Sequence, residues 1–112
     1  MIIHGAELDF RLYDPGMKEV KKRYFDELEK MRTVRADMPE GTEEEQNKYL
    51  CDRIKALFDN VFGEGTGKTV CGKGEDLLMH LDAYDQLVSE QTRQQDKYES
   101  IMERLKNMGE KK

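Results

Sequence analysis

DLLMHLDAYDQLVSEQTRQQDKYESIMERLKNM, residues 76 to 108, is the stretch on which the fold turns. Leu77, Leu81, Tyr84, Val88, Gln91, Gln95, Tyr98, Met102 and Leu105 recur at spacings of three and four, and neither Gly nor Pro intervenes before Gly109. That period predicts one continuous helix, a rod of roughly 50 Å at ~1.5 Å per residue. Residues from about 92 onward should overhang, because nothing earlier in the chain predicts a helix of matching length. Gln91 and Gln95 interrupt the apolar seam, which weakens it for burial but is tolerated, and sets register, where helices pair.

Upstream, Thr42 and Glu45 form a capping box that opens a helix over 43–62, and the acids at Glu43, Glu44 and Glu45 suit the positive end of its dipole. Leu50, Ile54, Leu57 and Val61 are its buried stripe, flanked by Phe58 and Phe62. Asp14-Pro15 reads as an N-cap with Pro at the first helical position, and Met17, Val20, Tyr24, Leu28 and Met31 carry a helix over 15–37, ended before Pro39. Residues 1–14 alternate at Ala6, Leu8, Phe10 and Leu12 and predict a β-hairpin turning at His4-Gly5. Residues 63–74 hold five of the nine glycines and are expected to be irregular loop. The fold class is therefore mainly α, a short N-terminal β-hairpin followed by three helices with the last one long, in a single domain spanning 1–112.

The net charge of -5, with no basic stripe interleaved with aromatics, argues against nucleic acid as a partner. The acidity is local: residues 40–66 carry seven acids against three bases. No apolar run is long enough for a membrane span or a signal-peptide core, so no membrane partner and a cytoplasmic location are expected. Cys51 and Cys71 have neither CxxC spacing nor a nearby pair of histidines, which points to ordinary reduced thiols.

Gly63-Glu64-Gly65-Thr66-Gly67-Lys68-Thr69 resembles a phosphate-binding loop but fails on count. Three residues separate Gly63 from Gly67 where the motif needs four, and a helix rather than a strand precedes it. His4 falls in a turn and His80 early in a helix, beside Leu77, Leu78 and Leu81. The carboxylates lie on solvated helix faces. No catalytic residue, metal ligand or cofactor site can be picked out, and no enzyme activity is expected.

The opening Gly5–Asp14 (GAELDFRLYD), the Phe-Gly-Glu-Gly-Thr stretch at 62–66 and the helix from Leu78 to Glu90, which contains LDAYDQLVSE, together resemble small phage- and prophage-encoded proteins described as tail assembly chaperones. The resemblance implies a cytoplasmic factor in a bacterial host cell that shields a long helical tape-measure protein until the tail tube forms around it. On this reading the protein-binding residues are Phe62, Gly63, Glu64, Gly65 and Thr66, as an exposed aromatic-glycine loop, and Tyr98, Ile101, Met102 and Leu105 on the late seam. Two alternatives stay open: a self-assembling structural component of a phage particle, a homo-oligomer, and a nucleotide-binding protein using the 63–69 loop.

Overall fold

The computed structural model describes residues 1–110, and the longest of its elements is the last helix. That helix, α5, runs Leu77–Glu110, and Asp76 caps it by accepting the Met79 N–H at 3.2 Å. It passes through Gly109, where the sequence predicts its end; far from any neighbour, one glycine costs only about 1 kcal/mol against Ala and does not stop a helix. The buried face is His80, Ala83 and Leu87, with Tyr84 packed at its edge. Leu78 (77% exposed) and Leu81 (41%) point outward, so the seam lies to one side of the predicted line.

Asp14 accepts the Gly16 N–H at 2.8 Å and starts a 3-10 turn over Pro15–Met17, which leads into α1, Lys18–Met31. The single helix predicted over 15–37 is broken after α1. Arg32 closes the last turn three residues back, Thr33 sits at φ -108°, ψ 11°, and a four-residue α2, Val34–Asp37, follows. The break falls at Thr33, a β-branched residue of low helix propensity, whose carbonyl then accepts the Asp37 N–H at 2.9 Å and whose hydroxyl donates to the Asp37 carboxylate at 2.8 Å, starting the short helix anew.

At the N-terminus, β1 (Ile2–Ile3) and β2 (Ala6–Glu7) pair antiparallel, Ile2 with Glu7 and Ile3 with Ala6. His4 (φ 49°) and Gly5 (φ 83°) both adopt positive φ, as a two-residue hairpin turn of primed type requires. The pairing stops far short of residue 14. Leu8 still exchanges backbone hydrogen bonds with Met1, after which residues 9–11 continue as an unpaired arm that turns at Leu12-Tyr13, and the alternate side chains Leu8, Phe10 and Leu12 are buried in the core. The period of two is real, but it fits the arm into a groove between helices rather than into a wider sheet.

Helix α3, Glu43–Phe62, starts at Thr42, whose hydroxyl accepts the Glu45 N–H at 3.2 Å. The segment predicted to be loop then contains a six-residue helix, α4, Thr66–Cys71. Gly63 (φ 120°), Gly65 (φ 92°) and Gly72 (φ 86°) take the positive-φ positions around it, and Gly67 lies inside it against α3. A Cβ at Gly67 would fall 2.6 Å from the Lys55 carbonyl oxygen and 2.8 Å from Lys55 Cα. Glycine is therefore present here for close helix approach as well as for turns. Asp59, one turn before the end of α3, accepts the Gly67 N–H at 2.7 Å and caps α4 from outside. Val70 and Cys71 thereby enter the core beside Ile54, Leu57 and Phe58.

Candidate functional site

The root of α5 is held by amide side chains. Tyr24 on α1 donates its hydroxyl to Gln91 Oε1, and Gln91 Nε2 donates to Gln95 Oε1 at 3.3 Å. Gln94 brackets the arm: its Nε2 donates to the Phe10 carbonyl at 2.6 Å and its Oε1 accepts the Leu12 N–H at 2.8 Å. An extended segment without a neighbouring strand leaves its backbone groups needing partners, and this glutamine supplies two of them. Gln91 and Gln95 are thus not gaps in a seam awaiting another chain. Gln91 satisfies a buried phenol, whose ionisation burial pushes well above the usual range, so that Tyr24 stays a neutral donor.

One turn further out, Tyr98 stacks on Tyr13 with ring centroids 4.3 Å apart and planes 7° apart, and the Lys21 ammonium lies 5.3 Å from the Tyr13 centroid. The anchored part of α5 therefore reaches residue 98, beyond the predicted limit near 92. Past it, Ile101, Met102, Leu105 and Met108 stand exposed, by 38 to 66%, on one side of the helix. The molecule measures 64 × 28 × 22 Å, and its length follows from this projecting segment. A contiguous apolar stripe on a rigid projection is the feature that normally marks a binding surface.

The sequence-derived residues thus fall into different settings. Ile101, Met102 and Leu105 form the projecting stripe, and Tyr98 sits at its base. Phe62 is drawn inward, its ring edge-on to Phe10 at 5.8 Å and alongside Phe58 at 6.2 Å, so the predicted exposed aromatic of the 62–66 stretch is partly buried against the core cluster. Gly63, Glu64 and Gly65 are exposed and make the turn into α4, and Thr66 begins that helix. Met108 completes the stripe and Tyr13 its base; the helical spacing marked the first, whereas the second depends on where the arm lies.

Among the ionisable groups, His4 is built into the fold. Its Nδ1 faces the Val70 carbonyl at 2.6 Å and its Nε2 faces Asp82 Oδ2 at 2.8 Å. Two acceptors, one on each ring nitrogen, call for a proton on both, so the imidazolium is the form that clasps the hairpin to α4 and α5. The Asp82 hydrogen bond, then the Val70 carbonyl, raise the His4 pKa, and the same contact with His4, then Gln86, lowers that of Asp82. The signs give a pH window. The His4 contribution is fully present below the ordinary histidine value and is lost as pH rises through its raised value; the Asp82 contribution is lost as pH falls through its lowered value. The thermal midpoint is accordingly expected to fall between weakly acidic and weakly alkaline pH, and His4→Asn should flatten that slope. An identical slope in the variant would assign it elsewhere.

His80 is fully buried, with Nδ1 2.6 Å from the Asp76 carbonyl and no partner on Nε2 among the described residues. Burial pushes the Cys71 thiol up to about 11 and raises that of Cys51, which keeps both protonated and unreactive at neutral pH. Glu27, also buried, is paired with Lys30 at 2.8 Å and takes a hydrogen bond from Asn60 at 3.1 Å. Among the described residues no group of His, Cys, Asp and Glu is arranged to hold a metal ion, and no helix is long and apolar enough to cross a membrane.

No curated protein and no solved structure matches the chain. A family model, described as a family of unknown function, matches residues 4–112 and so takes in the hairpin clasp, the arm, the glycine-lined α4 and the projecting stripe together. By that match the chain belongs to the DUF6673 family.

Proposed function

We propose that the protein is a non-enzymatic binding factor whose working surface is the far end of α5 and whose partner is another helical protein. The observation that carries this reading is the stripe of Ile101, Met102, Leu105 and Met108, held away from the core on a helix whose base is fastened by Gln91, Gln94 and Tyr98. Anchors repeating every three to four residues suit an amphipathic helix laid alongside, and the two methionines adapt to imprecise partners. The likeness to tail assembly chaperones supplies the finer form of the proposal, a factor in a bacterial host cell that covers a long tape-measure-like helical protein before assembly.

The nucleotide-binding alternative has against it that the Gly67 N–H is already donated to the Asp59 carboxylate, which occupies the position a phosphate would need. The structural-component alternative has one feature in its favour, Ile2, 62% exposed on the two-stranded sheet, where a neighbour could add.

The test is truncation after Glu99, which keeps the Tyr13–Tyr98 stack. The shortened chain is expected to unfold within about 1 kcal/mol of the full chain, because the deleted residues touch none of the core. It should also no longer co-purify with the helical product of the neighbouring gene. Retention of that partner by the truncated chain would remove the stripe from the reading, and global unfolding would make the segment part of the core.

A further inference from the structure

The His4 imidazole stands where three elements meet. Its Nδ1 lies 2.6 Å from the Val70 carbonyl on α4 and its Nε2 2.8 Å from Asp82 Oδ2 on α5, while its own backbone, at φ 49°, turns the hairpin. A neutral imidazole carries one N–H and one lone pair, so it can serve only one of these two acceptors. The other acceptor then faces a lone pair.

The two acceptors differ in how they can respond. Val70 belongs to the last turn of α4, where a carbonyl has no partner inside the helix, and the residue is fully buried. Its oxygen is fixed by the backbone and has no water to turn to. Asp82 is half exposed, already accepts from Gln86 Nε2 at 2.8 Å, and can swing its carboxylate into solvent by a side-chain rotation. We propose that His4 is a pH-operated latch which, on losing its proton, keeps Nδ1–H on Val70 and releases Asp82, so that the hairpin stays on α4 and comes free of α5.

The surrounding charges leave this choice to the His4–Asp82 pair. On α5, Asp76 lines the same cleft but is committed to the Met79 N–H at 3.2 Å. On α4, Lys68 is the one charged side chain, and it is exposed. In the hairpin, Glu7 lies 3.9 Å from the Met1 ammonium. Of these charged groups Asp82 is the one that raises the His4 pKa, so the latch is closed at the ordinary histidine value and opens as pH rises through the raised one.

The joint borders a cleft of about 620 Å³ lined by His4, Asp76, Leu78, Met79 and Asp82, and its release widens that cleft at the foot of α5. Two residues per strand give the hairpin little pairing of its own to resist the change. Ile3 remains seated in the core, so the motion is local.

Two measurements on the full chain test this. In nitrogen NMR from about pH 5 to about pH 9, His4, identified by the signals that His4→Asn removes, is expected to pass from imidazolium to the Nδ1–H tautomer, the minor form of free histidine in water. Asp82→Asn should lower the folding equilibrium constant by about three- to fivefold at the acidic end, the size of an exposed ion pair. It should cause no loss at the alkaline end, where the asparagine amide can donate to the bare Nε2. A neutral His4 protonated on Nε2 would mean that Val70 is released instead and overturns the proposal. So does an Asp82→Asn loss of equal size at both ends, or a His4 ring whose protonation does not change across the range.

Discussion

Gly67→Ala is expected to lower the unfolding free energy by about 3 kcal/mol, the upper part of the usual range for overpacking. The added methyl meets backbone, the Lys55 carbonyl oxygen at 2.6 Å and Lys55 Cα at 2.8 Å, and backbone inside a helix cannot step aside as a flexible side chain does. Either α4 rides up off α3 or α3 bends. If α4 moves, Val70 and Cys71 are drawn from the core, and the Val70 carbonyl leaves His4, so the hairpin loosens with it. Lys68→Ala, one position along, is expected to change stability by less than ~0.5 kcal/mol, because that side chain is exposed. Denaturant midpoints at constant m-value measure both. A Gly67→Ala protein as stable as its parent would mean that α4 is not seated on α3, whereas a large loss in Lys68→Ala would give that ammonium a structural or ligand-binding role that its exposure does not suggest.

Tyr24→Ala is expected to cost about 4 kcal/mol, within the range for removing a buried aromatic. The ring is fully buried, meets Phe10 edge-on at 4.9 Å and Phe25 at 5.1 Å, and its hydroxyl is the group that Gln91 accepts from. Truncation therefore opens a cavity and also leaves the Gln91 amide oxygen without its donor. Tyr24→Phe separates the two effects: it keeps the packing, loses the hydrogen bond and should cost about 1–2 kcal/mol. Because Gln91 and Gln94 fasten the base of α5, amide exchange from about residue 91 to 98 should speed up in both variants more than exchange in α3. Uniform acceleration across the chain would indicate that Tyr24 contributes general core stability rather than this anchorage.

Much of the secondary structure could be read locally because its determinants are local. Thr42 and Glu45 open α3, Asp14-Pro15 turns the chain into its first helix, and His4-Gly5 closes the hairpin at the predicted residues. The uninterrupted period after Asp76 gives the long helix to within two residues at its far end. In each case a cap, a turn residue or a run of helix-compatible side chains acts within a few positions of itself.

Of the proposed binding surface, the exposed stripe at Ile101, Met102 and Leu105 was legible for the same reason. Its base was not, since Tyr13 and Tyr98 stack across a separation that periodicity cannot measure. Phe62 was misplaced because an aromatic beside a glycine-rich stretch reads the same whether it points outward or, as here, into a cluster with Phe10 and Phe58.

The sequence by itself determined the mainly helical chain, its hairpin, its caps and the length of α5. Tertiary structure decided which side of α5 faces inward: Leu77, Leu78, Leu81, Leu87 and Val88 make more than one face apolar, and only the shape of α3, α4 and the arm selects His80, Ala83 and Leu87. It also decided that residues 66–71 are helical. A short glycine-containing helix is not stable on its own propensity; it forms because Asp59 caps it from the preceding helix and because the bare Gly67 lets its backbone reach Lys55.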